Sequence, residues 1–377
     1  GLTSASVAVD EGDVVDPAAA ALWGLVQVAA LETDHRWRGL IDMNGVLDVE
    51  TAARVAAVVG NRTEEHIALR SGSTHVRRLV AACNASVEPW RPRGTVLVIG
   101  SGAIATHLAR WLVQVGADNV VLVSRSGRTA DIEGGRVHAR SCNVTDRDAL
   151  RGFLADLDTQ GLAPQAVIHA AGVIDDRLLP DVDSDSLARV ADPKLQGATL
   201  LHELLGELDA FVLISSAVGV LGNPGQAAYA MANAALDGLA ARRRAAGLPA
   251  TSVAFGPWDG SGMASGSKGT QLRRAGMILL QPEEALSALA DVVGTGGSAV
   301  IVDASWPDVV AAYGAAAHRA LLREIPQANL VSPAEERESK VLVKIALLPP
   351  AERAASALTV IREEVAAVLK VEAPASI

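Results

Sequence analysis

Four side chains stand at spacings that suit the reduction of a carbonyl group. A run from Phe211 to Gly219 carries an apolar stretch into Ser215 and Ser216, and Tyr229 follows Ser216 by thirteen positions. Asn233 lies four residues beyond Tyr229, which puts both on one face of a helix. Hydride delivery to a carbonyl carbon leaves an alkoxide, and the alkoxide needs a proton donor. A phenol is a weak acid at neutral pH, so a nearby cation must lower its pKa. Lys194, in an upstream helical segment, is available for that task. A hydroxyl such as that of Ser216 can orient and polarise the carbonyl. Singly, each residue has a plain structural reading: a Tyr on an apolar helix is a core residue, and a Lys on a helix is a solvated charge. The weight comes from the four together.

A second constellation suits a dinucleotide. Ile99-Gly100-Ser101-Gly102-Ala103-Ile104-Ala105 follows an apolar strand and opens a helical pattern. Gly100 permits a tight turn, Gly102 lets backbone approach a pyrophosphate, and Ala105 is small enough for helix to pack on strand. The next strand ends on Ser124, Arg125 and Ser126, where a cation can pair with a 2′-phosphate and select NADPH over NADH. The plain reading of Arg125 is a solvated charge at a strand end.

These residues need a scaffold, and the chain supplies one. Thr95–Ile99, Asn119–Ser124, Val137–Asn143, Ala166–Ala170, Phe211–Ser215, Thr251–Phe255 and Ala299–Val302 are short apolar runs separated by helical patterns, Ala103–Val115 among them. That alternation predicts an α/β fold: a Rossmann-type, doubly wound parallel sheet covered on both faces. Before it, a helical pattern at Ala18–Glu32, a short strand at Gly39–Asp42, a second helix at Asp48–Gly60 and a strand at 66–69 form part of another, degenerate Rossmann-like unit. The expected organisation is a structural subdomain over 1–90, a catalytic subdomain over 94–325, a charged linker over 326–350, and a terminal helix over 351–377.

Composition narrows the class. Half of the 377 residues are apolar, enough for a sizeable core, and a net charge of −10 with mixed signs marks no nucleic-acid or membrane surface. Cys83 and Cys142 have neither disulfide-framework nor metal-ligand spacing, so no metal is expected and a reduced, cytoplasmic setting fits. Gly1 to Asp13 has no signal-peptide pattern, and no apolar stretch is long enough to span a bilayer. The chain opens without Met and reads as a segment of something longer.

The tetrad and loop together resemble the short-chain dehydrogenase/reductase superfamily, and within it the ketoreductase domains of modular polyketide synthases. That branch places the Lys on the earlier helix and an Asn four residues after the Tyr, as here. The resemblance implies Ser216 for carbonyl positioning, Tyr229 as proton donor, and Lys194 and Asn233 as its support and proton relay. It implies NADP(H) held by Gly100, Ser101, Gly102, Ile104, Ser124, Arg125, Asn143 and Val144. The run Val167 to Val173, with Ala170 and Gly172, is similar to the strand that flanks the nicotinamide ribose. The implied partners are an acyl carrier protein bearing a phosphopantetheine-linked substrate and the neighbouring synthase domains. Ala351–Lys370 resembles the first helix of such a carrier.

Ile174-Asp175-Asp176 resembles the Leu-Asp-Asp element of B-type ketoreductases, which set a 3R hydroxyl; the plain reading is a polar, helix-capping loop. The Trp of A-type domains would fall at Leu221, and the Pro tied to reduction of epimerised substrates at Met231. Trp258, in Phe255 to Trp258, resembles the start of the substrate lid. The glycine loop departs from the family pattern: Ile99 stands for Thr, the loop is one residue shorter, Ala105 replaces the last Gly, and Asn143 replaces an acidic residue. A displaced loop moves the donors that grip pyrophosphate. Two functions stay open: NADPH-dependent reduction of a β-ketoacyl thioester, or a redox-silent domain that epimerises an α-methyl group or serves as a structural module.

Overall fold

The computed structural model describes residues 1–329 apart from 11, 34–36, 38, 46, 62–63, 83–87, 128–134, 261–265 and 313–318, and beyond 329 only Arg353, Ser356 and Thr359. Of the linker expected over 326–350, Pro326–Asn329 is described and forms a 3-10 turn with Ala328 buried; the rest of it and the terminal helix lie outside the described residues, those three positions excepted.

The first 76 residues build a four-stranded sheet. Its elements are Leu2–Ser4 (β1), Pro17–Glu32 (α1), Leu40–Met43 (β2), Val49–Asn61 (α2), His66–Arg70 (β3) and Ser73–Val76 (β4). β1, β2 and β3 run parallel, and β4 pairs antiparallel with β3. Asp16 caps α1 by accepting from the Ala18 amide, and Pro17 occupies the first turn, where its missing N–H costs nothing. β2 buries every side chain, Asp42 included. The Asp42 carboxylate survives burial because Thr3, Ser6 and the Arg70 guanidinium all donate to it.

The second sheet has seven parallel strands. In chain order come Thr95–Ile99 (β5), Ala103–Gln114 (α3), Asn119–Ser124 (β6), Val137–Ser141 (β7), Arg147–Thr159 (α4), Pro164–His169 (β8), Ser184–Ala191 (α5), Gly197–Leu204 (α6), Ala210–Ser216 (β9), Val218–Leu221 (α7), Ala227–Ala245 (α8), Thr251–Phe255 (β10), Gly266–Arg274 (α9), Met277–Ile278 (β11), Pro282–Thr295 (α10), Ala299–Ile301 (β12) and Asp303–Ala304 (β13). Spatially the strands run β12-β10-β9-β8-β5-β6-β7, and β11 pairs with β13 separately. The order reverses between β5 and β8, so a crevice opens beyond their C-terminal ends, where doubly wound sheets bind ligands. β5 is buried at all five positions, with helices covering both faces, which is why it reads as an unbroken Val/Leu/Ile run.

α1 packs along α8 and joins the two sheets through helices. Small residues set the approach: a Cβ on Gly24 would stand 2.2 Å from the Ala230 carbonyl oxygen. The helix that carries Tyr229 is therefore held from outside by the first unit. Among the described residues no helix is long and apolar enough to cross a membrane.

Candidate active site

A cleft of about 1620 Å³ opens at the β5/β8 switch point. Every residue expected at the nucleotide lines it, as do Lys194, Ser216, Tyr229, Asp176, Leu221 and Trp258. Asn233, Asp175 and Met231 do not line it. Met231 lies two residues past Tyr229, which turns it to another side of α8.

At the nucleotide end, Gly100 has φ +145°, and its amide donates to Val123 O. A Cβ there would meet Ala170 O at 3.1 Å and the Ala105 methyl at 3.3 Å. Gly102 is the N-cap of α3, has no side-chain cap, and has no atom within 4 Å of where a Cβ would sit. Open space beside uncapped helical amides suits a pyrophosphate. Arg125 is exposed at the rim, with no side-chain partner among the described residues. The Asn143 side chain accepts from the amide and hydroxyl of Thr145, so it shapes the turn after β7. These residues fit a phosphorylated dinucleotide.

The catalytic end is made of buried side chains. Asp192–Gln196 is a π-helical turn between α5 and α6, with Pro193 inside it, and the wider turn carries Lys194 inward. The Lys194 ammonium donates to Ile214 O at 3.0 Å and lies 5.4 Å from the Tyr229 ring centroid. Its stem crosses Gly172 so closely that a Cβ there would stand 2.9 Å from the Lys194 Cε. Burial lowers the Lys194 pKa to about 8, with the Asp237 carboxylate acting the other way. Beneath it His169 donates from Nε2 to Lys194 O at 2.9 Å, and burial first, then the Lys194 charge, lowers that imidazole to about 4. His169 is thus a neutral support.

Tyr229 stands two residues into α8 with its ring toward the cleft. Burial raises its pKa, while Ser216 and Asn233 pull it down. The sequence predicts a phenol acidified by Lys194; in the structure burial raises the phenol, and one of the ammonium's three N–H donors goes to Ile214 O. Ser216 sits at the tip of β9, its hydroxyl accepting from Val218 N at 3.3 Å. Asn233 is fully buried; its Nδ2 donates to Tyr229 O at 2.7 Å, and its Oδ1 has no partner among the described residues.

The segment expected to govern stereochemistry divides. Asp176 faces the cleft and accepts from Gln226 Nε2 at 3.0 Å. Asp175 turns away to Arg189 and Arg177, whose hydrogen bonds hold its carboxyl below the usual range. Only Asp176 of the two acids lines the cleft. Trp258 is buried, edge-on to Phe255 with centroids 5.1 Å apart.

Sequence reasoning missed three residues. Asp237, one turn past Asn233, accepts from Ser252 at 2.5 Å and is influenced by Ser215, Arg77 and Lys194, although burial raises its pKa. Its spacing along α8 was visible. Gln226 and Glu32 act through contacts with distant segments, which no local pattern announces.

The KR domain family profile matches residues 94–260, and that of the "Polyketide synthase extender module SpnB, Rossmann fold domain" matches 1–79. Polyketide synthase GfsA of Streptomyces halstedii is 43% identical over 94% of the chain, which spans 5% of that protein. A solved A-type ketoreductase from a modular polyketide synthase is 39% identical, with a TM-score of 0.80 over 87% of the chain and 73% of its own. A solved C2-type ketoreductase from a modular polyketide synthase is 36% identical, with a TM-score of 0.80 over 86% and 74%.

Proposed function

We propose a function from one premise, that the chain belongs to the ketoreductase family of modular polyketide synthases: it reduces the β-keto group of an acyl thioester presented by a carrier protein, using NADPH. The observation that carries this is a single cleft in which an open glycine cradle runs into the Lys194, Ser216 and Tyr229 cluster.

The bound nicotinamide would supply hydride to the β-carbon. Ser216 donates to the ketone oxygen and fixes its position. The Tyr229 hydroxyl gives its proton to that oxygen as negative charge develops, and the Lys194 ammonium stabilises the resulting phenolate. Asn233 fixes the first turn of α8 through Tyr229 O and keeps its Oδ1 as an acceptor for the relay that restores the proton. Burial raises the free phenol, and the Lys194 ammonium over its ring is the charge that would offset this as the phenolate forms. Asp176, placed by Gln226, supports a B-type, 3R outcome, with Leu221 where A-type domains carry Trp.

A solved A-type and a solved C2-type structure match at the same TM-score, so likeness of backbone does not choose between those two types. The first test is titration with NADPH followed by turnover of a β-ketoacyl thioester. Micromolar binding with turnover supports the reductase. Absence of binding at millimolar NADPH overturns it and leaves the redox-silent reading, for which exchange of the α-proton is the assay.

A further inference from the structure

Two loops frame the substrate side of the cleft. Residues 174–179 carry Asp175 and Asp176, and residues 222–226 lead into the Tyr229 helix. They are tied to each other: Arg177 N donates to Gly225 O at 2.7 Å, and Gln226 Nε2 to Asp176 Oδ1 at 3.0 Å. Both are also tied to one carboxylate from the first unit. Glu32, the last residue of α1, takes Leu179 N on Oε2 at 2.6 Å and Gly225 N on Oε1 at 2.7 Å. Ala30 and Leu31, just before it, line the same cleft.

We propose that Glu32 is a positioning residue for stereocontrol: its bridging carboxylate sets the separation of the Asp176 loop and the Tyr229 helix entry. This rests on the reductase reading for its consequence, though not for its geometry. Amide-to-carboxylate hydrogen bonds are charge-assisted and stronger than neutral ones. One carboxylate holding two amides makes the loops' spacing depend on α1 as well as on the two hydrogen bonds between the loops themselves. Helix α1 is itself fixed against α8 at the Gly24–Ala230 approach, so the clamp and Tyr229 share one reference frame. In this reading the first unit sets which face of the ketone meets the hydride donor, because a shift of the Asp176 loop relative to Tyr229 admits the other orientation of the acyl chain.

The test compares Glu32→Gln and Glu32→Ala with Asp16→Ala in the full chain. Asp16 caps the far end of α1, so its loss frays that N-terminal turn and leaves the Glu32 carboxylate and both loops untouched. Hydrogen exchange read on peptides containing Leu179 and Gly225 is expected to quicken about tenfold in both Glu32 variants and to stay unchanged in Asp16→Ala. With β-ketoacyl thioester and NADPH, the minor diastereomer is expected to rise several-fold in Glu32→Ala and not in Asp16→Ala. Unchanged exchange at both segments, or equal loss of stereochemical purity in Asp16→Ala, overturns the proposal. If the unaltered chain shows no turnover, the reductase reading fails by itself, and the exchange data still decide whether Glu32 sets the loops.

Discussion

The two ends of the cleft are built on different principles. The nucleotide end is made of backbone, empty space and one exposed charge: the Gly100 turn, the open side of Gly102 and the Arg125 guanidinium. The catalytic end is made of buried side chains locked by one another: Lys194 on Ile214 O, His169 under Lys194 O, Asn233 on Tyr229 O. A site of backbone and space loses affinity by degrees, because each amide contributes a share. A site of interlocked groups fails when one is removed, since the others hold positions that have lost their purpose. Damage at the catalytic end should therefore appear in kcat, and damage at the nucleotide end in cofactor affinity.

The largest effect expected is at Tyr229. Tyr229→Phe removes the proton donor and keeps the ring beneath Lys194, so kcat should fall by about 10³ with NADPH affinity unchanged. Equal loss of affinity would erase the contrast between the ends. Next comes Lys194. Its pKa falls from 10.5 to about 8 on burial, so between those values the unfolded chain binds more protons and stability rises with pH. The penalty for the buried charge is full below about 8 and fades toward 10.5. Lys194→Met should thus lower turnover by about 10² yet stabilise the fold at pH 7, by up to about 3 kcal/mol. Denaturant melts should show the gain shrinking as pH approaches 10.5. A destabilised variant at pH 7 would mean that the Ile214 hydrogen bond outweighs desolvation. At the other end, Gly102→Ala adds a methyl group to the open side of the cradle and should weaken NADPH about thirtyfold, read by calorimetry.

The contrast also governs what a sequence can reveal. β5, β6, β9 and β10 were legible because strands buried on both faces are short, mostly apolar runs bounded by turns. β1, with three residues, and β4, with its polar alternation, sit at the edges of a small sheet and carry no such signal. Gly100, Gly102, Ser216, Tyr229 and Asn233 were legible because local spacing fixes them. Lys194 was visible as a residue, while the π-helical turn that aims it was not, since Pro193 there reads as a helix break. Asp175 and Asp176 look equivalent in sequence; only the salt bridges to Arg177 and Arg189 separate the acid that faces out from the one that faces in. Glu32 meets its partners 147 and 193 residues away, and tertiary folding alone creates that neighbourhood.

The smallest effect sharpens the comparison most. Arg125 is exposed, so solvent and salt screen whatever it holds, and its share of binding is modest. A 2′-phosphate distinguishes NADPH from NADH and is the group a strand-end cation would meet. Arg125→Ala should therefore weaken NADPH about tenfold, leave NADH unchanged, and lose its effect in molar salt. Its kcat at saturating NADPH should equal that of the unaltered chain, because no contact links Arg125 to the Lys194 cluster among the described residues. Parallel loss of NADH binding would mean that Arg125 shapes the loop rather than reading the phosphate. A fall in kcat would mean that the two ends are one mechanical unit, joined through β6 and β5, and that their separate construction does not make them separate in function.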